Sequence, residues 1–268
     1  MNKTFGFIGT GNMGSALARA AVKAMEPTLI TLADQCEEKA QALASELGCY
    51  TAPASVVAQY CSYIFLGVKP QVMGAMLTEI APIFAARKDD FVLVSMAAGV
   101  SIADIRRMAG SDYPVIRIMP NIPVKTGSGV ILYDATDNVS MDALDAFRRG
   151  MQHAGLVDRL PEHLIDAGSA LSGCGPAFAC LFIEALADGA VACGLPRSQA
   201  LTYAAQTLAG TAQMLLESGQ HPGALKDAVC SPGGSTIAGV GALEQGSFRA
   251  STMEAVISAY QRTLELGK

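Results

Sequence analysis

The sequence has no tryptophan and few charged residues, and these shortages narrow what the chain can be. Only 16% of its 268 residues are charged while 51% are hydrophobic, which excludes general disorder. The three histidines include no pair spaced for a metal, and the seven cysteines lack CxxC spacing. We therefore expect no metal site and reduced thiols. The net charge is −5 and no part of the chain is strongly basic, so we expect no nucleic-acid partner.

Long hydrophobic runs are also missing. The uncharged run between Asp166 and Glu184 has 17 residues, and it is interrupted by Gly173, Gly175 and Pro176. Such a run is too short and too broken for a membrane span. The first residues lead directly into a strand pattern and show no signal peptide. We therefore expect a cytoplasmic protein that does not enter a membrane.

Short apolar segments alternate with helical ones in the first part of the chain. Strand patterns cover 3–8, 29–33, 63–67, 91–95, 115–119 and 129–133. Helices are predicted over 12–26, over 35–47 with Gly48 as its end, and from Pro70 toward Phe84. This alternation is typical of βαβ units. It predicts an α/β fold with a doubly wound, mostly parallel sheet covered by helices on both faces.

The alternation ends after about Arg159, and the remainder is helical. Helical patterns cover 162–171, 176–193, 197–218, 222–229, 235–245 and 248–266. We therefore predict two domains, an α/β domain over 1–160 and an all-α domain over 161–268. Segments such as Ala179–Ala187 are apolar on more than one face, and a domain this small buries a modest core alone. This predicts a homo-oligomer, a dimer or a multiple of it, joined through the helical domain.

A GxGxxG motif follows the first predicted strand and opens a helix. It consists of Gly9, Thr10, Gly11, Asn12, Met13 and Gly14. In this position the motif indicates a Rossmann-type dinucleotide site, in which the glycines allow a tight turn and close approach of the pyrophosphate. The helix N-terminus adds free N–H groups for the phosphates. The alternative is a strand–helix turn that merely needs glycine.

Asp34 ends the second predicted strand, 20 residues after Gly14. An acid at this position can hold the adenosine ribose hydroxyls, and it repels a 2′-phosphate. The next four residues include no arginine, so the sequence favours NADH over NADPH. Alternatively, Asp34 caps the following helix.

Three further segments follow predicted strands, at the edge of the sheet where ligands bind in such folds. They are Gly67–Pro70, Ser95–Gly99 and Met119–Pro123. Their small residues and prolines suit a nicotinamide lying against bare backbone. Lys69 is the one cation at these ends, and it either carries charge near the nicotinamide or is an ordinary exposed lysine.

Hydroxyl groups cluster at a turn in the helical domain. Ser231 begins the sequence Ser-Pro-Gly-Gly, and Ser235 and Thr236 follow it directly, where a helix is predicted to begin. Hydroxyls and free N–H groups together form an anion site suited to a carboxylate. On spacing alone, an ordinary helix cap with a Pro-Gly turn explains the pattern equally well.

The segment Leu225–Ile237 resembles the signature of the pyrroline-5-carboxylate reductase family, and the resemblance extends over essentially the whole chain. Other matching blocks occur in the family's order at Phe7–Gly14, Val68–Pro70, Ala97–Val100, Arg117–Asn121 and Gly173–Ala177. The resemblance implies hydride transfer from NADH or NADPH to the C=N carbon of pyrroline-5-carboxylate, the last step of proline synthesis. Substitutions such as Cys174 and Phe178, where the family usually has Ser and Tyr, are mild.

The resemblance also implies roles for individual residues. Thr236 would lie near the ring nitrogen of the substrate and act as the catalytic residue, and the other substrate residues would be Val229, Ser231, Gly234 and Ser235. The cofactor would contact Ile8, Gly9, Thr10, Gly11, Asn12, Met13, Asp34, Gly67, Val68, Lys69, Pro70, Met96, Ala97 and Ala98. No metal is implied.

Two alternatives stay open on the sequence. One is a two-domain dehydrogenase of another small carboxylate, but such enzymes usually need a Lys or His in the helical domain, and the only lysines there are Lys226 and Lys268. The other is a dinucleotide-binding sensor without turnover, which would need the glycine loop but not the Ser231–Thr236 turn.

Overall fold

The computed structural model describes residues 4–266, which divide into two compact units. The first unit contains the chain up to Gly173 together with the residues from Tyr260 onward, and the second runs from Cys174 to Ala259. Lys3, where we expect the first strand to begin, and Lys268 lie outside the described residues, as do Met1 and Asn2, on which the signal-peptide expectation partly rests. The domain boundary at residue 160 stays a prediction.

Within the described residues, the first unit contains one eight-stranded sheet. Its strands are β1 (Phe5–Ile8), β2 (Ile30–Ala33), β3 (Tyr50–Thr51), β4 (Tyr63–Leu66), β5 (Val92–Ser95), β6 (Val115–Pro120), β7 (Gly129–Ala135) and β8 (Gly155–Arg159). Their order is β3-β2-β1-β4-β5-β6-β7-β8, and all neighbours are parallel except β6 and β7. The chain therefore reverses its direction of travel across the sheet between β1 and β4, the usual place for a ligand crevice.

Seven α-helices connect and follow these strands. They are α1 (Asn12–Ala21), α2 (Glu37–Leu47), α3 (Ala54–Tyr60), α4 (Pro70–Ala86), α5 (Ile102–Ala109), α6 (Met141–Met151) and α7 (Glu162–Ser172). Short 3-10 turns occupy Pro27–Leu29, Ile122–Thr126 and Gln152–Ala154. Helix α2 ends at Gly48, whose φ of 74° suits a residue without a side chain, and Pro70 stands in the first turn of α4. Both features agree with the sequence prediction.

Buried side chains cover both faces of the sheet. Phe5, Phe7 and Phe65 belong to one apolar cluster, whereas Ile8 and Ile64 belong to the cluster on the other face. The two sets alternate along each strand because successive side chains point to opposite faces. The Phe7 and Phe65 rings stack with centroids 4.3 Å apart. Apolar packing on both faces therefore holds the sheet, and with it the strand ends where the predicted cofactor residues lie.

The second unit is helical, with α8 (Gly175–Ala192), α9 (Arg197–Ser218), α10 (Pro222–Ala228), α11 (Ser235–Gln245) and α12 (Phe248–Leu266), whose last residues belong to the first unit. Among its described residues, the buried hydrophobic ones are Ala187, Ala200 and Ala204. Large apolar side chains are exposed instead, for example Leu181 at 68% and Leu216 at 84%. These helices do not bury their apolar faces within one chain.

The α/β fold class is confirmed, as is the change to an all-helical chain after β8. The sequence pattern did not predict β3, α3, α5, α6 or β8. Helices α3 and α5 are short, at 7 and 8 residues, and β3 has only 2, so each offers too few residues for an extended pattern.

One helical stretch among the described residues is long and apolar enough to cross a membrane, judged by length and composition alone. It runs from Glu162 to Ala192 with a mean hydropathy of 1.6. The stretch is two helices in the structure, since α7 ends at Ser172 and α8 begins at Gly175. A single such stretch is weak evidence for a membrane protein, because apolar helices of soluble proteins pass the same test.

Candidate active site

The loop between β1 and α1 leaves a helix N-terminus open. Gly9 has φ +102°, and a Cβ atom there would lie 2.6 Å from the carbonyl oxygen of Gly67. A Cβ on Gly14 would lie 2.1 Å from the carbonyl oxygen of Gly9, so both positions require glycine for close packing. Gly11 differs, because a Cβ atom there would meet nothing within 4 Å. The loop therefore keeps open space beside Gly11.

This open space fits a diphosphate. Gly11 is the N-cap of α1 and no side chain caps the helix, so the first N–H groups of α1 have no helical partner. Unpaired N–H groups at a helix N-terminus, with the positive end of the helix dipole, bind phosphate oxygens. The residues present are thus suited to the pyrophosphate of a dinucleotide.

Asp34 lies directly beside this loop. Its Oδ2 accepts hydrogen bonds from the Thr10 N–H at 2.7 Å and the Thr10 hydroxyl at 2.9 Å, and its Oδ1 accepts from the Cys36 N–H at 3.0 Å. Burial alone would raise the pKa of Asp34, but these hydrogen bonds and the charge of Lys39 lower it below its usual value. The carboxylate is therefore ionised at neutral pH. The N-cap residue of α2 is Cys36, whose own side chain does not cap the helix, so Asp34 contacts the start of α2 only through the Cys36 N–H.

Two cavities flank the Thr10–Asp34 contact. The first, of about 270 Å³, is lined by Asp34, Glu37, Gln41 and Thr51, with Pro53. The second, of about 320 Å³, is lined by Thr10, Ser15, Arg19, Lys39, Ala42, Leu43 and Glu46. Sequence reasoning missed the cations of the second cavity because it considered only the residues next to Asp34.

Arg19 and Lys39 differ in how free their charges are. Arg19 forms a bidentate salt bridge with Glu46, in which Nε lies 3.0 Å from Oε1 and Nη2 lies 2.5 Å from Oε2. Lys39 is exposed on the first turn of α2, where its charge acts on Asp34. The region next to Asp34 thus contains a cation as well as the carboxylates of Asp34 and Glu37.

The other predicted cofactor segments follow the neighbouring strands. Because β1, β4 and β5 are adjacent and parallel, their carboxyl ends lie at one edge of the sheet. Gly67 follows β4, its N–H donates to the Ile8 carbonyl at 2.8 Å, and Val68 comes next. Lys69 is exposed and is the N-cap of α4, which starts at Pro70.

After β5, the three predicted cofactor residues are Met96, Ala97 and Ala98. Ala97 is buried, whereas Ala98 is exposed and Met96 is half-buried. Gly9–Met13, Gly67–Pro70 and these three residues follow three adjacent parallel strands, so they lie at one edge of the sheet. The sequence-predicted cofactor residues of the first unit are therefore brought together.

In the second unit, the predicted substrate residues surround the turn between α10 and α11. Val229 is 63% exposed, Gly233 has φ +67°, and Gly234 is the N-cap of α11 without a side-chain cap. A Cβ on Gly234 would lie 2.3 Å from the Ser231 hydroxyl oxygen, so a larger residue there would force that hydroxyl to rotate away. The interpretation of Ser235 or Thr236 as an ordinary cap is wrong.

Ser231, Ser235 and Thr236 are exposed, and within residues 4–266 their hydroxyls form no hydrogen bond. The turn thus presents unpaired hydroxyls and uncapped N–H groups to a ligand, as a carboxylate site requires. Within the same residues, no group of three His, Cys, Asp or Glu side chains is arranged to hold a metal.

The chain has a Rossmann-type sheet with an open pyrophosphate loop, an ionised carboxylate after β2 and a separate anion-binding turn. These features place it in the class of NAD(P)H-dependent oxidoreductases.

Comparison with known proteins agrees with this class and narrows it. Residues 162–266 match the family model described as pyrroline-5-carboxylate reductase dimerisation, and residues 4–99 match that described as NADP oxidoreductase, coenzyme F420-dependent. The chain is 39% identical to the pyrroline-5-carboxylate reductase of Escherichia coli over 275 aligned residues, which cover all of both chains.

Solved structures give the same result. A pyrroline-5-carboxylate reductase from Coxiella burnetii superposes with a TM-score of 0.93 at 30% identity, covering 100% of both chains. The Plasmodium falciparum pyrroline carboxylate reductase, solved with NADP bound, has a TM-score of 0.87 at 30% identity, covering 100% of this chain and 99% of that one. The chain belongs to the pyrroline-5-carboxylate reductase family, which confirms the resemblance seen in the sequence.

Proposed function

We propose that this protein reduces 1-pyrroline-5-carboxylate to L-proline with NADH or NADPH, the last step of proline biosynthesis. The observation that carries the proposal is the uncapped, hydroxyl-bearing turn at Ser231–Thr236 in a chain that also has an open pyrophosphate loop. A sensor of dinucleotides needs only the loop. The family relationship supports the same substrate.

The first unit binds the cofactor. The N–H groups at the start of α1 hold the pyrophosphate, and the oxygens of Asp34 accept hydrogen bonds from the adenosine ribose. Gly67–Pro70 and Met96–Ala98 line the remainder of the site. When bound, the nicotinamide supplies the hydride that adds to the C=N carbon of the substrate.

The second unit binds the substrate. The N–H groups of α11 and the hydroxyls of Ser231 and Ser235 hold the carboxylate, while Val229 and Gly234 line the five-membered ring. A cyclic imine is basic enough to be protonated near neutral pH, so no strong protein acid is needed. The Thr236 oxygen accepts a hydrogen bond from the protonated nitrogen and so orients the ring for attack.

Replacement of Thr236 tests this assignment. Thr236→Ala removes one positioned hydrogen bond, and we expect kcat/KM for pyrroline-5-carboxylate to fall about 10- to 100-fold. Thr236→Ser keeps the hydroxyl and should retain most activity. Thr202→Ala on α9 is a matched control, since that exposed hydroxyl bonds only the Ser198 carbonyl at 2.9 Å. The measurement is the loss of absorbance at about 340 nm. An unchanged kcat/KM in Thr236→Ala would remove this residue from the mechanism.

We also propose a preference for NADH. The ionised Asp34 and nearby Glu37 disfavour a 2′-phosphate, whereas Lys39 reduces the discrimination because it offsets part of their charge. The expected result is use of both cofactors, with tighter binding of NADH.

We infer the oligomeric state and the cellular location from exposed apolar side chains, net charge and free cysteines. The exposed apolar side chains of α8–α12 support a homo-oligomer, a dimer or a multiple of it, joined through the helical domain that we place at 161–268. The dinucleotide-binding domain is then 1–160. The net charge of −5 supports the absence of nucleic-acid partners. In the proposed oligomer a second copy would cover the apolar surface of α8, which supports a protein outside the membrane. Seven free cysteines support a reducing, cytoplasmic location.

A further inference from the structure

The carboxylate of Asp34 is held in one position by the fold. Its Oδ2 accepts two hydrogen bonds from Thr10, and its Oδ1 accepts one from the Cys36 N–H. An acid at this position binds the ribose 2′-hydroxyl of NADH, so the 2′-phosphate of NADPH begins beside the same acid. A fixed, ionised carboxylate repels that phosphate unless a cation nearby offsets its charge. The charges in the cavities beside Asp34 therefore decide how well NADPH binds.

The two cavities beside Asp34 differ in charge. The first cavity contains the carboxylates of Asp34 and Glu37, and the described residues that line it include no lysine or arginine. The second cavity lies between α1 and α2, where the cations Arg19 and Lys39 line it together with the acid Glu46. A phosphate group is repelled by the acids of the first cavity and attracted by the cations of the second. The second cavity is therefore the side of Asp34 that suits a 2′-phosphate.

The two cations of the second cavity are not equally available to a ligand. The Arg19 guanidinium is bound to Glu46 through Nε and Nη2, and its Nη1 lies 3.5 Å from the Ser15 carbonyl oxygen. Lys39 is exposed, and within residues 4–266 its ammonium forms no hydrogen bond or ion pair. Its charge lowers the pKa of Asp34, so the ammonium acts on the carboxylate beside which the ribose lies. Lys39 is therefore the cation that a phosphate can pair with.

The stability of α2 does not explain a lysine at this position. Lys39 is the third residue of the helix, in the first turn, where the positive end of the helix dipole disfavours a cation. The residue before it, Glu38, accepts a hydrogen bond from the Cys36 thiol at 3.2 Å rather than one from Lys39. An exposed lysine without an ion pair contributes little to the free energy of unfolding. A ligand in the second cavity explains the position better.

We propose that Lys39 is a specificity-determining residue, whose ammonium pairs with the 2′-phosphate of NADPH in the second cavity. The proposal rests on the function proposed above, and it names the residue through which a ribose site built around an acid accepts both cofactors. NADH has a hydroxyl group at the 2′ position and gains little from the same cation. Removal of the Lys39 charge therefore weakens the binding of NADPH and leaves that of NADH nearly unchanged.

The test is fluorescence titration of the full-length protein with NADPH and with NADH, in the absence of substrate. Lys39→Met keeps a long side chain but removes the charge, and we expect Kd for NADPH to rise about 10-fold while Kd for NADH stays within about threefold. Lys39→Arg keeps the charge and should bind NADPH nearly as tightly as wild type. Lys88→Met is the matched control, because it removes an exposed lysine between α4 and β5, at the other edge of the sheet. It should leave both Kd values unchanged.

Two fragments of the cofactors isolate the contribution of the phosphate. Adenosine 2′,5′-bisphosphate and adenosine 5′-phosphate differ only in the 2′-phosphate, and calorimetry gives Kd for each. The ratio of these two Kd values should change about 10-fold in Lys39→Met and stay constant in Lys88→Met. Added salt should reduce the change, because it screens the charge of an exposed lysine.

The proposal is overturned if Lys39→Met binds NADPH as tightly as wild type, or if the wild-type protein does not bind NADPH. It is also overturned if Kd for NADH and Kd for NADPH rise by the same factor, because Lys39 then acts on the part that the two cofactors share. Absence of turnover with pyrroline-5-carboxylate would refute the proposed function instead. The titrations need no turnover, so they would still report whether Lys39 pairs with the 2′-phosphate.

Discussion

Gly11 and Gly14 belong to the same motif, yet the structure predicts different effects when each is replaced by alanine. A Cβ on Gly14 would lie 2.1 Å from a backbone oxygen, whereas one on Gly11 would meet nothing within 4 Å. Gly11 has φ −63° and ψ −169°, a conformation open to alanine. Gly14→Ala therefore tests how the loop packs, whereas Gly11→Ala tests the space that a ligand would occupy.

The magnitudes follow from these contacts. Gly14→Ala forces α1 away from the turn, and overpacking of this kind costs about 1–3 kcal/mol of the free energy of unfolding. Gly11→Ala should change that free energy by less than about 1 kcal/mol, because alanine is only a weaker N-cap residue than glycine. The added methyl group occupies the space where phosphate oxygens approach the N–H groups. We expect Kd for NADH to rise about 10-fold or more, as the loss of one or two charge-assisted hydrogen bonds predicts.

Thermal unfolding and NADH fluorescence titration measure the two effects separately. Gly110→Ala is an unsuitable control because φ there is +83°, but Gly239→Ala on α11 has open space and a helical backbone. It should leave NADH binding unchanged. If Gly11→Ala bound NADH as tightly as wild type, the pyrophosphate would not lie where we place it.

Three further outcomes follow from other contacts. Tyr63→Phe should lower the free energy of unfolding in urea by about 1–2 kcal/mol, because the buried Tyr63 hydroxyl donates to the Ala143 carbonyl at 2.8 Å. Burial raises the pKa of Tyr63 to about 12, so this donor stays protonated. An unchanged urea midpoint would contradict this expectation. The pKa of Asp34 is lowered from 3.8, so its contact with Thr10 stabilises the fold above pH 3.8 and is lost as the pH falls through the lower folded value. Asp34→Asn should therefore lose less stability than wild type on acidification, and it should narrow the gap in Kd between NADH and NADPH; equal acid sensitivity and an unchanged gap would argue against the role of this carboxylate. Light scattering at micromolar concentration should give at least twice the 27.7 kDa of one chain, and a single-chain mass would contradict assembly.

Several of the longer elements were predictable from their pattern, although the 11-residue helix α6 was not. Helices α9, α11 and α12 begin and end at the predicted residues, and Gly48 ends α2 as expected. The short helix α3 and the two-residue strand β3 were not predicted, since their pairing with the sheet, rather than a local pattern, decides their structure. Strand β7 was predicted, but its antiparallel direction depends on the turn at Ile122–Thr126.

At the site, the sequence indicated the glycine loop and Asp34 because their chemistry is local to a known spacing. It did not indicate Arg19 and Lys39, which reach the loop from two different helices. The contacts of Arg117 with Glu162 and Asp166, and of Asn121 with Ser172, were equally hidden, because the partners are 45 to 51 residues apart along the chain. Contacts of this kind arise from packing of α7 on the sheet, and no short sequence pattern predicts them.

The account depends on direct hydride transfer from the reduced cofactor to the imine carbon. NADH carrying deuterium at C4 tests it most directly, with the proline product examined by mass spectrometry and NMR. We predict one deuterium per molecule of L-proline, at the ring carbon that was double-bonded to nitrogen. Proline without deuterium, or no proline with either reduced cofactor, would contradict the account.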